Sequence, residues 1–226
     1  MADNVKPEVS SAVVSRRGFL KGASIAAATT VIESANALAR NTDSGLEHDA
    51  IAGPNAVSVK LSINQQEHTA MIEPRDTLAQ TLRDTLRLTG TKVVCDRGSC
   101  SACTVWIDTV PSLACMTLTI DTIGRQVTTI EGLSHGDVMH PLQVAFVKHD
   151  ALQCGFCTPG MIMSCAALLE RNANPNLDDV KQATSGNLCR CGTYPKVFAA
   201  TLDVARQRRQ AAGLIMPETV NARKEA

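Results

Sequence analysis

Aromatic side chains are scarce in this chain: one Trp, one Tyr and four Phe make up 3% of 226 residues. That is too few rings for the stacking platforms that bind single-stranded nucleic acid. An excess of one charge is also missing, because 22 Lys and Arg are matched by 22 Asp and Glu. No net field therefore draws the chain to nucleic acid or to an anionic membrane. Long apolar runs are absent too; the stretch 22–32 is short and rich in Ala and Thr, and does not make a permanent membrane helix. Internal repeats, a phosphate-binding Gly-rich loop and a nucleophile with its base are lacking. The chain does have nine cysteines, and eight of them fall into two complete ligand sets.

Cys95, Cys100, Cys103 and Cys115 follow the pattern C-x4-C-x2-C with a fourth thiol after eleven more residues. This is the plant-type ferredoxin spacing, in which four thiolates hold a 2Fe–2S cluster. Cys154, Cys157, Cys189 and Cys191 form C-x2-C, a long gap and then C-x-C, which supplies four more thiolates. Two clusters in one chain make an electron conduit. The small residues Gly98, Ser99, Ser101 and Ala102 let the first loop wrap tightly, and its N–H groups can point at the sulfurs and tune the potential.

Other uses of thiols compete with this reading. Four-cysteine zinc sites also use C-x2-C pairs, although seldom C-x4-C-x2-C. The CGFC segment from Cys154 to Cys157 resembles a thiol–disulfide redox pair, but that motif normally follows a strand and here an amphipathic segment precedes it. A disulfide framework would leave one of nine cysteines over. A Rieske-type site needs His ligands, and no Cys-x-His pair follows the first clamps.

The N-terminus points the same way by an independent route. Ser15 to Lys21 reads S-R-R-G-F-L-K, which matches the twin-arginine export consensus, with Arg16 and Arg17 as its signature pair. Small-residue cleavage options follow at 35–37 and 37–39. Residues 1–39 are thus expected to be a signal peptide read by the twin-arginine translocase, which carries proteins already folded round their cofactors. The expected location is the periplasm. Residues 40–56 read as a solvated linker and 209–226 as a charged tail.

Between linker and tail the periodicity changes once. Val57, Val59, Leu61 and Ile63 alternate as a half-buried strand, Asn64-Gln65 suits a turn, and a second strand is expected around His68 to Ile72. Thr77 can cap a helix with Leu78, Leu82 and Leu86 on one face, ending near Gly90. Thr104 to Ile107 and Val127 to Ile130 read as further strands. From His140 onward the spacing is helical. One helix carries Leu142, Ala145 and Phe146, and a second carries Met161, Cys165, Leu168 and Leu169. A third starts after Asn176, and a fourth starts at Pro195. Cys165, on an apolar face, is expected to pack in the core. The fold class is α+β, with the first cluster loop in residues 57–133 and the second set in 134–208.

Five stretches carry a family resemblance: TLRDTLRLTGTK (Thr81 to Lys92), CDRGSCSAC (Cys95 to Cys103), TIEGL (Thr129 to Leu133), HPLQVAFVKHDALQCGFCTPG (His140 to Gly160) and GNLCRCGTYPKV (Gly186 to Val197). In this order they resemble the small iron–sulfur subunit of the xanthine dehydrogenase family of molybdenum hydroxylases, and more narrowly its periplasmic aldehyde oxidoreductases with a twin-arginine signal. The resemblance implies a ferredoxin-like β-grasp domain followed by a four-helix bundle, each holding one 2Fe–2S cluster. It also implies a large partner subunit carrying molybdopterin, with Gln153 and Cys191 at the contact to that cofactor. The electron acceptor would be an FAD subunit or a cytochrome. Val94 and Ser101 stand where the family usually has Gly, and Gly192-Thr193 inverts the commoner Thr-Gly order. That variant also occurs in relatives that oxidise nitrogen heterocycles. The different-class rival is a free-standing redox carrier or thiol–disulfide protein.

Overall fold

Alternation makes the first strand. In β1 (Val57–Ile63) the residues Val59, Leu61 and Ile63 are buried on one face while Ser58 and Lys60 face out. The computed structural model describes residues 53–213. The expected signal with Arg16 and Arg17, most of the linker and the tail beyond 213 lie outside the described residues. Asn64 and Gln65 both take positive φ, 52° and 65°, the two-residue turn whose twist suits a hairpin. The chain returns as β2 (Gln66–Ile72), two residues earlier than expected, paired with β1 from Val57↔Ile72 to Ile63↔Gln66.

Thr77 caps α1 (Leu78–Gln80) in a reciprocal capping box with Gln80. The helix expected to run to Gly90 instead widens into a π-turn at Thr81–Thr85 and stops. Arg87 has φ +62°, and the Arg83 guanidinium donates to the carbonyls of Thr89 and Thr91, so the chain is held out of helical register. After the first three cysteines come β3 (Thr104–Ile107) and β4 (Val110–Leu113), joined by Asp108 and Thr109 at positive φ. Strand β5 covers Gln126–Thr128, not Val127 to Ile130. The Asn64 side chain captures the Thr129 N–H at 2.9 Å, and a 3-10 turn follows at Ile130–Leu133. The sheet order is β2-β1-β5-β3-β4, with β1 and β5 parallel and the other pairs antiparallel.

The second half is helical: α2 (Pro141–Lys148), α3 (Thr158–Arg171), α4 (Leu177–Ala183) and α5 (Tyr194–Ala211). With α1, the described residues hold five α-helices, the short first one belonging to the sheet half. His140 and Asn176 cap α2 and α4 through their side chains. Two cores result. One buries Leu61, Ile63, Leu82, Val105 and Val127 beneath the sheet, and the other buries Leu142, Phe146, Met161, Cys165 and Val197 among the helices. Trp106 joins them, since its indole N–H donates to the Met163 carbonyl at 3.0 Å. No described helix is long and apolar enough to cross a membrane.

Candidate metal centres

The first thiol set is built by one tight loop. Asp96, Gly98 and Ser101 all have positive φ, so the backbone between Cys95 and Cys103 curls back on itself. Successive N–H groups in such a curl point inward as an anion-binding nest. The Ser99 N–H donates to the Cys95 sulfur at 3.3 Å. Cys115 arrives from the 3-10 turn after β4, and the Ala114 N–H donates to the Cys103 carbonyl at 3.2 Å to close the loop.

The second set is assembled from the starts of two helices. Cys157 is the N-cap of α3, and Cys191 lies just before α5, whose N-cap is Thr193. Neither helix has a side-chain cap. Pro159 and Pro195 have no N–H and the Thr158 and Lys196 N–H groups bond the Gly155 and Thr193 carbonyls, so the helix starts act through their dipoles, which favour an anionic group there. The lone tyrosine shapes the C-x-C clamp, because the Tyr194 hydroxyl accepts from Cys189 N–H at 2.8 Å and donates to the Asn187 carbonyl at 3.0 Å.

Within each set the thiols lie close enough to influence one another's ionisation: Cys95 with Cys100, Cys103 with Cys115 and Cys100, Cys157 with Cys189 and Cys154, and Cys191 with Cys154 and Cys189. Four thiols in two clamps, with the Ser99 N–H donating to the Cys95 sulfur inside a positive-φ loop, suit a 2Fe–2S cluster, whose sulfurs accept such bonds. The donor sets therefore fit 2Fe–2S clusters. Each set mixes thiols of opposite tendency. Burial and the adjacent Cys115 push Cys103 up to about 12, and burial and Cys189 push Cys157 up to about 12. Cys95 is lowered to about 7, chiefly by the Arg97 backbone N–H. Burial opposes ionisation of Cys189, yet the Thr193 hydroxyl and nearby N–H groups bring it down to about 7. Since ligating thiols must be deprotonated, loading either site releases protons.

The two sites touch. The Leu188 N–H donates to the Cys100 carbonyl at 3.0 Å, and the Asn187 amide donates to the Ser101 carbonyl at 3.0 Å. Gly160 on α3 packs so closely on this loop that a Cβ there would stand 2.3 Å from the Ser101 carbonyl oxygen. This junction was not visible in the sequence, although two glycines beside cysteine clamps were its available signal. Gln153 is exposed next to the exposed Cys154, with Phe156 and Leu188 as apolar neighbours in the clamps, both more than half exposed. Cys165 is buried on α3, apart from both sets, as expected. Two clefts of 470 and 520 Å³ lie beside Val110 and Arg171, and no cysteine lines either.

Residues 61–119 match the family described as a 2Fe-2S iron-sulfur cluster binding domain, and residues 129–202 match the family described as a 2Fe-2S binding domain. The chain is 37% identical to the aldehyde oxidoreductase iron-sulfur-binding subunit PaoA of Escherichia coli K12, over 85% of this chain and 88% of that protein. It belongs to the iron–sulfur subunits of the molybdenum hydroxylase family. Its cofactors are two 2Fe–2S clusters, and it serves as a subunit of an oxidoreductase. The nicotine 6-hydroxylase small subunit of Paenarthrobacter nicotinovorans is 44% identical over 67% of this chain and 91% of that protein. Among solved structures, quinoline 2-oxidoreductase from Pseudomonas putida 86 matches with TM-score 0.67 and 39% identity, covering 71% of this chain and 99% of that one. Aldehyde oxidoreductase from Desulfovibrio gigas matches with TM-score 0.65 and 37% identity over 71% of this chain, but only 18% of that longer chain.

Proposed function

We propose that this chain is the electron-transfer subunit of an exported aldehyde oxidoreductase, which converts an aldehyde to a carboxylic acid at molybdopterin on a large partner subunit. One observation carries the reading: two sets of four free thiols, each fit for a 2Fe–2S cluster, joined by a hydrogen-bonded junction. Cys95, Cys100, Cys103 and Cys115 hold one cluster in a ferredoxin-like β-grasp domain, residues 57–133. Cys154, Cys157, Cys189 and Cys191 hold the other in a four-helix bundle, residues 134–208. When bound, the clusters supply one-electron carriers between the partner's molybdenum cofactor and an FAD subunit or cytochrome. The residues of this chain hold them, space them and shield the buried sulfurs from water. Exposed Gln153, Phe156 and Leu188 near Cys154 and Cys191 form the face offered to the large subunit.

Export rests on the motif at Arg16 and Arg17. It is supported by the reach of the PaoA match, 85% of this chain against 67% for the nicotine hydroxylase subunit, which takes in sequence outside residues 53–213. Residues 1–39 are read as the signal, 40–56 as linker and 209–226 as tail. A second reading keeps the role and changes the substrate to a nitrogen heterocycle. The nicotine and quinoline relatives and the Gly192-Thr193 order favour it.

The test is purification of the exported complex with iron, sulfide and molybdenum analysis. About four irons and four labile sulfides per copy of this chain are expected for two 2Fe–2S clusters. Stoichiometric zinc without iron would overturn the reading. Replacing Arg16 and Arg17 together with lysines should leave the complex in the cytoplasm, and normal periplasmic accumulation would remove the export claim alone.

A further inference from the structure

Thr193 stands at the N-cap of α5, where a threonine hydroxyl ordinarily accepts from the first turn of the helix. Here it makes no such bond, whereas the Thr77 hydroxyl at the start of α1 does. The Thr193 Oγ1 instead lies 3.3 Å from the Cys189 Sγ, and both residues are buried. Once Cys189 is a cluster ligand its sulfur carries no proton, so the hydroxyl must be the donor. The loop allows this only with the present residue order. Gly192 has φ +75°, a left-handed conformation that strains a β-branched residue, so a threonine fits at 193 and not at 192.

We propose that Thr193 is a potential-tuning residue, its hydroxyl donating to the Cys189 sulfur to make the second cluster a stronger electron acceptor than it would otherwise be. The inference rests on the assignment of Cys189 as a ligand. Reduction adds one electron to the cluster and neither forms nor breaks a bond, so the cluster gains one unit of negative charge. A donor aimed at the sulfur strengthens as that charge grows, and therefore stabilises the reduced form more than the oxidised. Burial keeps competing water away from the contact. The first site has no equivalent side-chain donor among the described hydrogen bonds; its contact to Cys95 comes from the Ser99 backbone. The effect of a Thr193 substitution is therefore confined to one cluster, with the other as internal control.

The experiment is a redox titration of the purified complex, with both reduced clusters followed by EPR. Thr193→Val keeps the shape and removes the donor. It should lower the reduced-to-oxidised ratio of the second cluster about three- to tenfold at a fixed poise, where tenfold is about 59 mV for one electron. The first cluster should not move. Thr193→Ser should restore the wild-type value, and one exchangeable-deuteron coupling beyond those of the backbone N–H groups at Cys189 should be present in wild type and Ser and lost in Val. If the valine chain does not retain iron, the Thr193→Ala and Thr193→Ser pair carries the same comparison. Unchanged second-cluster potential in the donor-less variant, with both signals intact, overturns the inference alone. Absence of a second iron signal in the wild type overturns the ligand assignment beneath it.

Discussion

The two thiol sites hold the same number of cysteines by opposite means. The first is local: three of its four thiols lie within nine residues, and positive φ at Asp96, Gly98 and Ser101 folds the loop with little help from elsewhere. The second is tertiary: Cys157 and Cys189 lie on separate segments, brought together by the packing of α3 and α5 on the core around Met161 and Val197. A local site survives loosening of the domain around it, whereas a tertiary site is only as stable as the packing that assembles it. The junction between Ser101, Gly160 and Asn187 then ties the local site to the tertiary one.

The hardest test of that contrast removes ligands. Cys100→Ser and Cys157→Ser should each abolish or grossly perturb one of two reduced-state EPR signals and leave the other. Cys165→Ser should leave both, because the Cys165 thiol is sealed in the helical core and burial pushes it up to about 11. Loss of both signals from either ligand variant would show that the sites fold as one unit. Loss of a signal from Cys165→Ser would mean that a ninth thiol takes part.

Gly160→Ala attacks the junction and sets two magnitudes against each other. Inside a helix the change gains about 1 kcal/mol of propensity. The new methyl would meet the Ser101 carbonyl oxygen at 2.3 Å and the Ala102 backbone at 3.1 Å, atoms that cannot rotate away. Overpacking against fixed neighbours costs about 1–3 kcal/mol. Net destabilisation of up to about 2 kcal/mol is expected, with Tm lower by up to about 8 °C at this size. The signal of the first cluster should also be perturbed, although the residue belongs to a helix of the second. A stabilised variant with both spectra unchanged would show that the junction yields.

These two tests also separate what the sequence displayed from what it concealed. The two cluster-binding regions were legible because cluster chemistry demands thiolates at fixed short spacings, and the β1 turn was legible because Asn64-Gln65 tolerates positive φ. Strand β4 was concealed because Val-Pro-Ser-Leu does not alternate and its turn is Asp108-Thr109 rather than a glycine pair. The early end of the first helix was concealed too, since it depends on Arg83 reaching two carbonyls beyond it. Strand β5 was placed late because Thr129 looks like strand but gives its N–H to a side chain 65 positions away. The junction lay deepest of all. Nothing in a run of letters says that Gly160 and Asn187 press on Ser101, since that contact is a product of packing.

Asp203 offers a smaller lever on the tertiary site. Its carboxylate is nearly buried and accepts from Lys148 at 2.7 Å, His149 at 2.8 Å and Arg206 at 3.1 Å, tying the end of α2 to α5. Burial opposes its charge, but the His149, Lys148, Gln207 and Arg206 donors hold the carboxyl well below the usual range. A depressed folded-state value adds stability above the unfolded value of about 4 and loses it as pH falls further. Asp203→Asn should cost about 1–3 kcal/mol at neutral pH. The gap to wild type should narrow as pH drops below about 4 in urea melts. A gap that stays constant down to pH 2 would show that the carboxylate charge is not what stabilises. Both cluster signals should persist, since residue 203 lies about 14 Å along the helix from its start.

The smallest effect on the chain itself belongs to Gln153, and it bears on which face the tertiary site presents. Gln153 is exposed beside exposed Cys154. Removing its amide should change the stability of the isolated subunit by no more than about 0.5 kcal/mol. If that amide is buried against the pterin of the partner subunit in the complex, its loss leaves a polar group unpaired, at about 1–3 kcal/mol. Gln153→Ala is therefore expected to keep both clusters while slowing reduction of the second cluster by substrate, or weakening retention of molybdenum. Stopped-flow reduction followed at the cluster absorbance measures the rate, and metal analysis measures the retention. The proposed pterin contact lies at the second site, so Val94→Ala, an exposed neutral side chain beside Cys95, serves as the control. Wild-type rates and full molybdenum content in Gln153→Ala would place the partner's cofactor elsewhere, and would leave the second site tertiary in its construction but not in its contact.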